Sequence, residues 1–191
     1  MDIDEKAPVI ARAEIDIAAG PATVFRLISR VDAWPSWKKD VRSVSLQGPV
    51  APGSTFAWKA GPGTIRSTFQ EVDAPRKIAW TGSTFGIRAI DVFRLDPHDG
   101  GTHVTEQESW SGFVVRLFRS RMRRTLQSSI EAGLRDLKAE AERHEAVGAR
   151  PEAAAERPEA ATQSRQAAAP DRAASTAAEP GEPASGARRA S

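Results

Sequence analysis

Two acidic residues, Asp91 and Glu106, are the best candidates for chemistry in this 191-residue chain. Phe85 to Leu95 and Thr102 to Trp110 each alternate with a period of two, and Pro97-His98-Asp99-Gly100-Gly101 lies between them. The pattern predicts two antiparallel strands joined by a hairpin loop. Pairing Leu95 with Thr102 sets Phe93 against Val104, Asp91 against Glu106, Ala89 against Glu108 and Ile87 against Trp110. The apolar members of this set mark the concave, buried face, so Asp91 and Glu106 point the same way. Two carboxylates directly opposed on a half-dry surface repel, and one then holds its proton well above the usual range. A protonated acid beside an ionised one suits acid/base help in a dehydration or an aldol-type cyclisation. The other readings are hydrogen bonding to a ligand, or a solvated or ion-paired role with Arg66 or Arg88 as the neutralising cation.

Aromatic residues supply a second signal. Phe56, Trp58, Phe69, Trp80, Phe93 and Trp110 fall on strand faces that the alternation assigns to the concave side, while Trp34 and Trp37 flank short helices near its mouth. Large rings carrying one polar N–H suit ring-containing or acyl ligands, although a small domain can equally use them as core. Together with Glu108, and with Met122, Leu126 and Ile130 on the helix opposite, they form the expected ligand wall. Tyrosine is absent, so any proton relay falls to other polar residues. His98 and His103 have no Cys, His or carboxylate at ligand spacing, and no metal site or cofactor is expected from them. His103 faces outward in the pairing above. There is no phosphate-cradling glycine loop and no Gly-x-Ser-x-Gly turn, which disfavours nucleotide and serine-hydrolase chemistry.

The elements that must position these residues are set by periodicity. Val9 to Ile17 alternates, and Gly20-Pro21 ends that strand and opens a short helix carrying Val24, Phe25, Leu27, Ile28 and Val31. A second short helix begins near Pro35. Val41 to Gln47, Thr55 to Lys59, Thr64 to Asp73 and Lys77 to Thr81 are further strands, divided by Gly48-Pro49, Gly61-Pro62-Gly63, Ala74-Pro75 and Gly82. From Gly112 to about Glu145, Met122, Leu126, Ile130, Leu134, Leu137 and Ala141 step by three and four along one stripe. A strongly curved sheet cannot cover its own concave face, so the long helix is its natural lid, with space left for a ligand between them.

Composition sets the outer limits. Net charge is +2 and cysteine is absent, so thiolate chemistry and disulfides are excluded and non-specific nucleic-acid binding is not demanded. The N-terminus lacks the apolar stretch of a signal peptide and no run reaches 18 apolar residues; a cytoplasmic protein without a membrane span is the expectation. Residues 147–191 are Ala, Pro, Arg, Glu, Ser and Gly with hardly a larger aliphatic residue. Such a stretch buries too little to offset its ordering entropy, so a disordered tail is expected there, after an extension at 1–8 and one domain at 9–146. Arg116, Arg119, Arg121, Arg123 and Arg124 crowd the start of the long helix, interleaved with Phe113, Val114, Val115, Leu117 and Phe118. This is either a solvated face or a weak docking surface for something anionic: a lipid headgroup, an acyl-carrier protein or RNA.

The order of these pieces resembles the START-like, helix-grip superfamily (SRPBCC), and within it the polyketide cyclase/dehydratase-like group. The resemblance is carried by Ile15-Asp-Ile-Ala-Ala-Gly-Pro-Ala-Thr-Val-Phe25, the Trp34-Pro-Ser-Trp37 turn, Glu71-Val-Asp-Ala-Pro75, and Gly100-Gly-Thr-His-Val-Thr105 before the long helix. It implies an α+β helix-grip fold, a curved antiparallel sheet around a long C-terminal helix with two short helices after the first strand. It also implies a ligand-sized cavity, without naming the ligand. The combined reading is a carrier or sensor of a hydrophobic small molecule. The alternatives are a polyketide cyclase/dehydratase-type enzyme using Asp91 and Glu106, and an interaction protein of the co-chaperone or toxin kind.

Overall fold

The structure is a computed structural model that describes residues 1–155, with side chains as far as residue 147. The chain runs β1 (Val9–Ile17), α1 (Pro21–Ser29), a 3-10 helix (Val31–Ser36), β2 (Val41–Gln47), β3 (Thr55–Ala60), β4 (Gly63–Asp73), β5 (Lys77–Thr84), β6 (Ile87–His98), β7 (Gly101–Ser111), α2 (Phe113–Leu117) and α3 (Arg119–Ala155). The strands form one sheet in the order β1-β7-β6-β5-β4-β3-β2, every pair antiparallel. This is the helix-grip architecture. Register shifts at Val41/Ser43 and Phe69/Glu71 add the local bend that lets the sheet curl.

Helix α3 lies mainly along β1. Its stripe of Leu126, Ile130, Leu134, Leu137 and Ala141 is buried, each Leu or Ile contributing about 2 kcal/mol by leaving water. Polar clamps fix its register on β1 and on the turn between β1 and α1. Gln127 Nε2 donates to Arg12 O (3.0 Å) and Lys138 Nζ to Asp16 O (2.6 Å), while Ala18 N donates to Glu142 Oε1 (3.0 Å) and Gly20 N to Glu145 Oε1 (2.9 Å). The last of these satisfies the N–H of Gly20 just before α1, whose first residue, Pro21, has no N–H in need of an acceptor.

Four expectations are corrected. The long helix is two pieces, because Phe118 (φ −116°, ψ 35°) leaves helical geometry between α2 and α3. Strand β5 runs through Gly82 to Thr84, since Gly82 faces Ser67 and Ala89 where a side chain would crowd its neighbours. Phe85 is not a β6 residue: with Gly86 it makes a two-residue turn, both at positive φ (46° and 75°), and its ring is exposed. The β6–β7 connection is likewise two residues, Asp99 (φ 45°) and Gly100 (φ 78°), so Pro97 pairs with Thr102 instead of lying in a loop. Pro97 is tolerated because β5 pairs with β6 only up to Arg94, leaving no strand on that side to ask for its missing N–H.

The extension at residues 1–8 is packed. Ile3 is buried against Ala79 and Val92 on the convex face, Asp2 pairs with Arg94, and the terminal amine meets Glu71. Of the tail expected at residues 147–191, the first part continues α3, which runs to Ala155, and residues 156–191 lie outside the described residues.

Candidate functional site

The concave face is organised in rows that cross the sheet. One row is Gly82–Ala89–Trp110–Val9, the next Trp80–Asp91–Glu108–Ala11, the next Ile78–Phe93–Glu106–Ala13. The observed register is two residues from the predicted one, so Asp91 faces Glu108 and Phe93 faces Glu106. An even shift keeps every side chain on its face. Asp91, Glu106 and Glu108 therefore all point inward, and one carboxylate oxygen from each lies within 4.8 Å of the others. Ala11 and Ala13 on β1 leave the acids room beneath α3.

Burial governs these acids. Asp91 is 8% exposed and Glu106 3%. Loss of water raises all three pKa values. That of Asp91 lies well above its ordinary range, helped by the charges of Glu108 and Glu106. Glu106 is pushed up to about 8 against the opposing pull of Lys38, and Glu108 to about 7 although Trp110 Nε1 donates to it at 2.7 Å. Near neutral pH the cluster holds both protons and charge. Its oxygens could also hold a cation, although Lys38 already supplies positive charge from the side.

Lys38 is the residue that sequence reasoning missed. It comes just after the 3-10 helix, and its ammonium sits 5.1 Å from the Trp34 ring and 5.9 Å from the Trp58 ring. Gly133 of α3 makes space for it, since a Cβ there would meet Lys38 Nζ at 3.4 Å. A glycine inside a strong helix costs about 1 kcal/mol relative to alanine, and this was the one sequence signal available. Arg66 and Arg88, the cations expected to neutralise the acids, are instead on the convex face, flanking Ser83 on either side, and exposed.

The expected ligand wall splits in two. Phe56, Trp58, Phe69, Trp80 and Phe93 gather around Trp34, with Trp34 5.8 Å from Phe56, 5.5 Å from Trp58 and 5.7 Å from Trp80, and Trp80 stacked on Phe93 at 5.5 Å. Trp34 is thus the hub of the core and not a residue of the mouth; its Nε1 donates to Ile28 O at 3.0 Å. Trp110, Met122, Leu126 and Ile130 form a separate group with Val9, Ala11 and Val115. The carboxylates belong to the rows between these groups. The roomy cavity expected between helix and sheet is not open: the rings fill it, leaving a void of about 10 Å³ lined by Trp37, Lys38, Glu106 and Gly133 among others.

Two polar atoms in this region are buried without a partner, Asp91 Oδ1 and Trp37 Nε1. His103 faces outward as expected, and its Nδ1 lies 2.6 Å from Asp16 Oδ1.

Residues 8–142 match the family described as polyketide cyclase / dehydrase and lipid transport. The chain belongs to that family. A comparison with curated proteins gives no match. Among solved structures, this family member is similar in fold to a hypothetical protein of Helicobacter pylori, with TM-score 0.65 and 14% identity over 73% of this chain and 91% of that one. A START superfamily protein of Mycobacterium smegmatis gives TM-score 0.62 at 12% identity, covering 70% of this chain and 97% of that one. The di-domain ARO/CYC protein StfQ of the steffimycin biosynthetic pathway gives TM-score 0.61 at 17% identity; 73% of this chain is covered, but 53% of StfQ. At such identities the likeness is one of fold.

Proposed function

We propose that this polyketide cyclase/dehydrase and lipid transport family member holds a small, largely apolar molecule on its concave face, as a carrier or sensor. The ligand's polar group would bond to Asp91, Glu106 and Glu108. The observation that carries this reading is the pair of buried, unmatched atoms, Asp91 Oδ1 and Trp37 Nε1. Leaving such a group without a partner costs about 1–3 kcal/mol, and a hydroxyl or carbonyl group on a ligand would remove that penalty. Lys38 borders the small void beside Glu106 and Gly133, the point on the concave face where such a group would enter. The test is native mass spectrometry of protein purified from its own host, followed by denaturing release. A released apolar molecule, retained less well by Asp91→Asn, supports the reading. Protein that is empty and binds no apolar naphthalene dye counts against it.

A second reading, catalysis of a cyclisation or dehydration, is favoured by one further observation. Burial pushes Glu106 up to about 8 and Glu108 up to about 7, so near neutral pH the cluster can both give and accept a proton. If Asp91→Asn combined with Glu106→Gln left a polyketide product profile unchanged, this reading would be abandoned.

A further inference from the structure

We propose that the end of the molecule formed by α2, the first turn of α3 and the β5–β6 turn docks on an anionic lipid bilayer. This stands on surface chemistry and does not depend on what the concave face binds.

Helix α2 is held to the body by Val115 alone, which is buried with Val9, Leu126 and Ile130. Its other apolar side chains are left outside: Phe113 is 80% exposed, Leu117 64% and the adjoining Phe118 50%. Phe85, 72% exposed in the β5–β6 turn, lies at the same end of the sheet with its ring over Gly63 of β4. Gly112 makes that neighbourhood possible, because at φ 135° it approaches the Gly86 carbonyl so closely that any Cβ would overlap it. Among the described residues seven large hydrophobic side chains are exposed, and five of them are Phe85, Phe113, Val114, Leu117 and Phe118. Single exposed apolar residues are ordinary, whereas a cluster at one end marks a contact surface.

The charge of this end is equally one-sided. Arg116, Arg119, Arg121, Arg123 and Arg124 are all exposed, and no Asp or Glu occurs from Ser109 to Ile130. Among the described residues none of the five is in an ion pair, and Arg119 Nε donates only to the Pro8 carbonyl. Cations in the first turn of α3 also oppose its dipole, so the free protein gains nothing from them there.

These two features together select the partner. A nucleic acid offers phosphates but no place for five exposed apolar side chains. A second copy of this chain would bury the apolar groups but bring ten arginines face to face. A bilayer with acidic headgroups satisfies both, taking the apolar side chains to the acyl boundary and the guanidinium groups at phosphate level. No helix among the described residues is long and apolar enough to cross the membrane, so the mode is peripheral.

The experiment is co-sedimentation of the full chain with phosphatidylcholine vesicles, with and without 30 mol% phosphatidylserine, at low and high salt. Association with the phosphatidylserine vesicles that falls with salt is expected. Each arginine near such a surface is worth about fivefold in partitioning, so Arg116→Gln with Arg121→Gln and Arg124→Gln should lower binding by roughly a hundredfold and make it clearly less dependent on salt. Phe113→Ser with Leu117→Ser and Phe118→Ser should lower it at least about tenfold while leaving the thermal melt in place. Absence of vesicle binding would overturn the proposal, as would binding unaffected by the serine variant. So would a concentration-dependent dimer that the serine variant abolishes, since the occupant would then be a second copy.

Discussion

Replacing Glu106 by glutamine should make the protein more stable at alkaline pH while changing it much less at mild acid pH. The folded state holds the Glu106 proton up to about pH 8, whereas a free glutamate loses it near 4.5. Between those values the folded chain binds more protons than the unfolded chain, so stability is full below about 4.5 and falls as pH rises towards 8. At about 1.4 kcal/mol per pH unit, the interval from 4.5 to about 8 corresponds to about 5 kcal/mol. Glu108, held up to about 7, adds a fall of the same sign of about 3 kcal/mol. The protons belong to the cluster as a whole, and the total is comparable with the entire stability of a domain, about 5–15 kcal/mol. His103, raised by its bond to Asp16, also loses a contribution as pH rises. Asp16, Glu71, Glu140 and Glu142 are lowered, so their contributions are lost only in acid. The diagnostic quantity is therefore the difference between variant and wild type. Urea unfolding followed by tryptophan fluorescence at pH 5.5, 7 and 8.5 measures it directly. Glu106→Gln should exceed wild type by only about 1–2 kcal/mol at pH 5.5 and by several kcal/mol at pH 8.5. Parallel pH curves for the two proteins would refute the argument, because Glu106 would then be ionised in the folded state at neutral pH.

Lys38→Met removes the cation that lowers Glu106 and Glu108, so both should hold their protons to higher pH. The fall of the urea midpoint with pH should then extend to higher pH than in wild type. Trp34→Ala removes the ring that meets Phe56, Trp58 and Trp80 and leaves the Ile28 carbonyl without its indole donor. It should cost about 3–5 kcal/mol in denaturant unfolding, and a loss below about 1 kcal/mol would show that the aromatic group is not the core of the fold.

The face of each acid was legible because it depends only on parity along a strand. Asp91, Glu106 and Glu108 share a face with Phe93, Val104 and Trp110 whatever the register, provided any error is even. The opposing partner was not legible, since it depends on whether the β6–β7 turn takes two residues or more. Asp99-Gly100 is a strong two-residue turn signal, but Pro97 argued against extending the strand. Only the end of β5 at Lys77 shows why a proline is harmless there.

Sequence periodicity determined the strands, the long helix and the lining of the concave side, because alternation and a 3.6-residue stripe are local consequences of backbone geometry. It could not determine how much space remained inside. That quantity depends on side chains from distant segments meeting: Trp34 from the 3-10 helix among Phe56 and Trp58 of β3 and Trp80 of β5, and Lys38 entering opposite Gly133. Nor could it place the cation beside the acids, since Lys38 and Glu106 are neighbours only through the curl of the sheet under α3. Packing volume and through-space electrostatics are properties of the assembled tertiary structure, and they decide here whether three carboxyl groups carry protons or charge.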